Sequence, residues 1–137
     1  MLDHIFLTVR DLERSIAFYE AVLPTLGITV RHDYDGANGH PDLKGFGANG
    51  RLFFWLRQGD PTAAAIHVGF VAHSEAEVRA AHAAALAAGA EEIHPPGPQL
   101  HYDPRYYAAQ ARDPDGHSLE FVFKSWQHPA ADSPVNG

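Results

Sequence analysis

Apolar residues recur at every second position in several short stretches of this chain and at helical spacing in others. His4-Ile5-Phe6-Leu7-Thr8-Val9 predicts a strand, with Ile5, Leu7 and Val9 on one face and His4, Phe6 and Thr8 on the other. Asp11 is placed to cap a helix running to about Leu23, whose stripe is Leu12, Ile16, Tyr19 and Leu23, and Pro24 and Gly27 close it. A strand follows over 28–34, a loop over 35–42 and a weaker strand over 43–48. Asn49-Gly50 signals a type I′ hairpin into the apolar strand 51–57. Gln58-Gly59-Asp60-Pro61 reads as a linker.

The same order then begins again. Residues 66–72 predict a strand, and Ser74 with Glu77 has capping-box spacing for an alanine-rich helix ending at Gly89. A strand starting at 92–94 is expected to be cut short by Pro95-Pro96-Gly97-Pro98. A strand over 106–111 leads to Asp113-Pro114-Asp115-Gly116, a turn in which proline presets φ and glycine accepts positive φ. In the strand beyond it, Leu119, Phe121 and Phe123 share one face while Glu120 and Val122 share the other. His4 and His67 lie 63 residues apart, Gly27 and Gly89 lie 62 apart, and Gly50 and Gly116 lie 66 apart. Landmarks at nearly one offset imply a duplicated unit. The expected fold is α+β: a single domain over 1–124 built of two βαβββ modules (1–60 and 64–124) around a curved sheet cleft, with a polar tail over 125–137.

Composition narrows the function. With 137 residues, 45% hydrophobic and 20% charged, the chain can bury a core. A net charge of -7 without a Lys/Arg cluster argues against nucleic acid as a partner. No apolar run reaches membrane-spanning length, no secretion signal is seen, and the cytoplasm is the expected compartment. The absence of cysteine excludes disulfides, thiolate metal sites and a cysteine nucleophile. Ten histidines make a metal worth considering.

Both copies begin with a histidine at the matching place on their first strand. A buried, unpaired carboxylate is costly, so Glu120 must be solvated, ion-paired or metal-bound. If a pseudo-twofold axis relates the halves, His4 and His67 meet across it and Glu120 completes the set. Two imidazoles and a carboxylate with open positions suit Fe(II), and also Mn, Ni or Zn. A metal-free protein that sequesters a drug or metabolite in the same cleft is the alternative reading.

His4, His67 and Asp-Pro-Asp-Gly followed four residues later by Glu120 resemble the vicinal oxygen chelate superfamily. That group includes glyoxalase I, extradiol dioxygenases, fosfomycin-resistance enzymes and bleomycin-binding proteins. The resemblance spans about Leu2 to Lys124. It implies the glyoxalase-like fold, a homodimer, and a site for one divalent metal within one chain or across two. It also implies a small-molecule substrate with vicinal oxygens, handled by an isomerase, lyase or dioxygenase reaction. The chain departs from its relatives at informative places. The position of the glyoxalase base falls on Phe53, Phe54 or Trp55, none of which accepts a proton. The dioxygenase tyrosine position is Gln110, and the fosfomycin-enzyme threonine position is Phe6. No residue is therefore assigned as the base.

If Arg112 pairs with His117 across the turn, Tyr107 faces Val122 and points into the cleft. Trp55 or Phe54 would line the opposite wall, while His101 and Arg105 sit in a loop that could cover the mouth. His32, His40, His73, His82, His94, His117 and His128 are expected at the surface.

Overall fold

The computed structural model describes residues 2–34, 36 and 42–128. Its first half holds β1 (Ile5–Val9), α1 (Leu12–Val22), β2 (Val30–Tyr34), β3 (Leu43–Ala48) and β4 (Arg51–Gln58). The second holds β5 (His67–Val71), α2 (Glu75–Ala87), β6 (Glu91–Pro98), β7 (Tyr106–Arg112) and β8 (Ser118–Lys124). The strands form two four-stranded sheets, ordered β1-β4-β3-β2 and β5-β8-β7-β6. In each sheet the first strand runs parallel to the last, and the other neighbours are antiparallel. This is the α+β arrangement of paired βαβββ units, with both sheets open. Most of the expected 35–42 loop, with His40, and the part of the polar tail beyond His128 lie outside the described residues.

Local chemistry sets the element ends. The Asp11 side chain accepts from the Arg14 amide at 3.1 Å, and Ser74 accepts from the Glu77 amide at 3.0 Å, each satisfying an orphan helix donor. Asn49 and Gly50, at φ 54 and 74, form the tight β3–β4 turn. Two expectations need correction. The face of α1 that is buried is Leu12, Ser15, Phe18, Tyr19 and Val22, with Ile16 only half-buried. Ser15 can be buried because its hydroxyl lies 3.4 Å from Asp115. Strand β6 also runs on through Pro95, Pro96 and Pro98. It is an edge strand paired only with β7, with register shifts between Glu92 and His94 and between His94 and Gly97. At an edge a missing N–H leaves no ladder bond unmade.

Each sheet gives one face to a core that both halves share. Leu7, Val9, Tyr19, Phe54 and Leu56 from the first half join Phe70, Val78, Leu119 and Phe121 from the second in one cluster. Phe54 carries it across, with ring centroids 4.9 Å from Tyr19 and 5.2 Å from Phe70. Burial of each such large side chain contributes roughly 1.5–3 kcal/mol.

A polar knot reinforces that junction. The fully buried Asp113 carboxylate accepts from the Tyr19 hydroxyl at 2.5 Å, His117 Nδ1 at 2.8 Å, and the amides of Asp115 and His117 at 3.0 and 2.9 Å. His117 is thus 1% exposed rather than a surface residue. His82, also expected outside, is buried on α2 with Nε2 2.8 Å from Glu92 Oε2. Burial would raise the Asp113 carboxyl, but hydrogen bonds from His117 and Tyr19 and the charge of His117 hold it below 3.8. A depressed folded pKa contributes stability that is present above the unfolded value and lost as pH falls through the folded one. Asp113→Ala is expected to cost about 3 kcal/mol or more, because it strands four buried donors. Urea unfolding should show that loss near neutral pH, with a smaller stability decrease on acidification below about pH 4 than in the wild type.

Candidate metal centre

The open face of the second sheet holds the polar cluster. Strand β8 lies between β5 and β7, with His67 opposite Ser118, Gly69 opposite Glu120, and Gln110 opposite Glu120. The Glu120 residue is 6% exposed and its carboxylate is crowded by donors. Oε1 lies 3.3 Å from His67 Nε2 and accepts from Gln110 Nε2 at 3.2 Å. Oε2 accepts from the Tyr106 hydroxyl. Burial first, then the hydrogen bond and the charge of Glu120, push the Tyr106 phenol well above its ordinary 10, so it remains a donor.

Both candidate imidazoles are oriented by a neighbour. His4 Nδ1 is 2.6 Å from Asp3 Oδ2; a carboxylate only accepts, so Nδ1 is the donor and Nε2 lies outside that contact. That hydrogen bond, with the charge of His4, lowers the Asp3 carboxyl. His67 Nδ1 is 2.9 Å from Ser118 Oγ. Engagement of Nδ1 by an outer partner is how metal-binding histidines are commonly held. Two ligand atoms about 2.1 Å from one ion and about 100° apart are separated by about 3.2 Å, so the His67–Glu120 spacing fits a shared ion.

His4 is not part of that cluster within one chain. Among the described residues, the group of three or more ligand side chains whose atoms all lie within 4.8 Å is Asp113, Asp115 and His117, not His4, His67 and Glu120. His4 stands on the open side of the first sheet. On one side it borders a hollow of about 250 Å³ with Phe6 and Trp55, and on the other a groove of about 450 Å³ that also touches β5 at Val68 and Phe70. Asp113, Asp115 and His117 could hold a metal by spacing. Their oxygens, however, already accept from Tyr19, His117, Ser15, backbone amides and Arg14.

The register at the β7–β8 hairpin corrects one expectation. Arg112 pairs with Ser118, not His117, because the turn closes with the Asp113 amide on the His117 carbonyl at 3.0 Å. A one-residue slip exchanges the faces. Tyr107 therefore lies opposite Phe123 on the helix side, with its hydroxyl 3.3 Å from Arg79 Nη1, and Tyr106 takes the place facing the cleft. Phe54 is 1% exposed in the core, whereas Trp55 lies on the open face, stacked on Phe6 at 6.1 Å. His101 is joined to the cluster through rings: it lies 4.1 Å from Tyr102, which lies 5.3 Å from Tyr106. Arg105 is forked onto Asp103 at 2.9 Å through both Nε and Nη2, and covers Trp126 at 4.6 Å. Asp3, Tyr106, Gln110 and Ser118 were missed from sequence. The even spacing of Tyr106, Gln110 and Arg112 along β7 was the available signal.

The sequence matches the model of the glyoxalase/bleomycin resistance protein/dioxygenase superfamily over residues 1–121, and the chain belongs to that family. Members of this superfamily bind small molecules, are often metal-dependent and often form dimers. Among solved structures, a glyoxalase/bleomycin resistance protein from Albidiferax ferrireducens T118 is 31% identical, with a TM-score of 0.67 over 89% of this chain and 97% of that one. A glyoxylase/bleomycin resistance protein/dioxygenase domain from Frankia sp. EAN1pec is 23% identical, with a TM-score of 0.66 over 90% and 97%. The fosfomycin resistance protein FosX from Mesorhizobium loti is 20% identical, with a TM-score of 0.62 over 88% and 89%. These last two share the fold. No curated protein matches the chain. No helix among the described residues is long and apolar enough to cross a membrane.

Trp55 lies flat against Gly45, where an added Cβ would stand 2.7 Å from its ring. Gly45→Ala is expected to push Trp55 off the sheet, red-shifting its fluorescence in a Trp126→Phe background.

Proposed function

We propose that the protein is a divalent-metal-dependent enzyme acting on a small substrate with vicinal oxygens, by isomerase, lyase or dioxygenase chemistry. In this reading the centre is shared by a homodimer: His67 and Glu120 of one copy meet His4 of a second. The observation that carries it is the approach of His67 Nε2 to Glu120 Oε1 at 3.3 Å, with the other nitrogen of His67 held by Ser118. His4, similarly prepared by Asp3 but lying outside that cluster in its own chain, is the matching third ligand.

The ion, which is Fe, Mn, Ni or Zn on the donor set, would supply Lewis acidity toward the substrate oxygens or a place for dioxygen. The chain supplies the rest. Trp55 and Phe6 offer flat apolar walls beside His4, and the tilted rings of Tyr106, Tyr102 and His101 run on from Glu120 as an aromatic rim. With Phe54 in the core and Trp55 on the open face, this part of β4 provides no proton acceptor, so a proton transfer needs a group elsewhere in the cleft. A metal-free sequestering protein would use the same aromatic walls. It gives no reason for two imidazoles with their Nδ1 atoms engaged.

Metal content after purification without a histidine tag tests the proposal. Wild type should carry one ion per chain, and His4→Ala, His67→Ala and Glu120→Gln should each lose it. Refolding a mixture of the His4→Ala and His67→Ala chains should restore metal, because their heterodimer rebuilds one complete site. Equal metal in wild type and His67→Ala would overturn the metalloenzyme reading, and no recovery in the mixture would overturn the shared site.

A further inference from the structure

The two oxygens of Glu120 are not equivalent. Oε1 faces His67 Nε2 and takes the Gln110 amide, while Oε2 is occupied by the Tyr106 hydroxyl. Tyr106 and Gln110 lie on one face of β7, four residues apart, so the strand delivers a donor to each oxygen. The Tyr106 ring is fixed from behind. Tyr102 lies against it at 5.3 Å and Lys124 Nζ stands 5.6 Å from its centroid. Its backbone closes the 99–106 turn, with the Gln99 amide donating to the Tyr106 carbonyl at 2.6 Å and the Tyr106 amide to Asp103 at 3.0 Å. The hydroxyl is therefore aimed at Oε2 by its surroundings. In a nearly buried carboxylate, little water competes for that oxygen.

We propose that Tyr106 is a positioning residue that restricts Glu120 to one-oxygen coordination and so keeps one more metal position open for substrate. This rests on the metal reading above. A carboxylate can bind a metal through one oxygen or both, and the second mode consumes an additional position. The proposed set brings only three side chains to the ion, so the denticity of Glu120 decides how many positions remain for two substrate oxygens and any further reactant. Gln110 does not impose the same limit, because it donates to Oε1, the oxygen already turned toward His67, whereas the Tyr106 hydroxyl anchors Oε2, the oxygen that would have to swing in for two-oxygen binding.

The test compares wild type, Tyr106→Phe and Tyr107→Phe loaded with Mn(II), read by water-proton relaxation, and with Co(II), read by d–d absorption. Tyr106→Phe keeps the ring contact with Tyr102 and removes only the hydroxyl. Tyr107→Phe removes the neighbouring hydroxyl that points to Arg79 instead. Tyr106→Phe is expected to bind both ions, with a reduced Mn(II) relaxation enhancement as the second carboxylate oxygen replaces a coordinated water, and with a shifted Co(II) d–d spectrum. Tyr107→Phe should match wild type. Equal relaxation and absorption in wild type and Tyr106→Phe would overturn the proposal. Loss of Mn(II) binding in Tyr106→Phe would also overturn it, since the hydroxyl would then be needed to place the carboxylate rather than to limit it. A wild type that binds no Mn(II) removes the metal reading itself, and this inference with it.

Discussion

Asp113 is a carboxylate with no solvent exposure, set where the two halves of the chain meet. Such a group is tolerable only when its lone pairs are filled, and here four donors fill them. One of them, the Tyr19 hydroxyl, comes from α1, 94 residues earlier. The next acid, Asp115, is also fully buried at its side chain and engages the Arg10 amide, Arg14 and Ser15 from the start of the first module. The turn between β7 and β8 is thus clamped to the other half of the molecule. Its internal closure sets the β7–β8 register, and that register puts Gln110 rather than Ala109 beside Glu120. The polar cluster on the open face follows from a buried knot on the other side of the same hairpin.

The two imidazoles show how duplication and divergence combine. His67 begins β5 and His4 stands one residue before β1, and they are held differently. His4 is fixed by the preceding residue in the sequence, Asp3, and His67 by a residue across the sheet, Ser118. The pairing of the carboxylate is likewise confined to the second module, where β8 carries Glu120 and the matching strand β4 carries aromatics. With the carboxylate cluster confined to the second sheet, the open face of the first carries Phe6 stacked on Trp55.

Much of the architecture was legible because it rests on local patterns. Alternation, caps and turn glycines recur at nearly one offset, and together they specify the two βαβββ units. What could not be read depends on contacts far away along the chain. Ser15 and His117 look like surface residues by type; Ser15 is buried because Asp115 from the other half satisfies it, and His117 because Asp113, itself tied to Tyr19 of the first half, does. The Tyr106–Tyr107 assignment failed for a subtler reason. Both residues are tyrosines, so the apolar pattern does not distinguish them, and the turn length alone decides which faces Glu120. The three prolines of β6 misled because the strand's edge position, which makes them harmless, is a property of sheet order rather than of sequence.

Among the described residues, the Asp113–Asp115–His117 group and the His67–Glu120 pair both have ligand-like spacing, and their hydrogen bonds separate them. In the Asp113–Asp115–His117 group, Asp113 accepts two bonds at each oxygen and His117 Nδ1 is committed to donating. An ion there would have to displace a buried tyrosine hydroxyl and backbone amides that have nowhere else to bond, at a cost the fold itself bears. The His67–Glu120 pair differs. The His67 side chain is 52% exposed, its Nδ1 is occupied while Nε2 faces the carboxylate, and displacing that contact strands no backbone donor. Spacing alone nominates the first group; the availability of lone pairs is what supports the second as the proposed site.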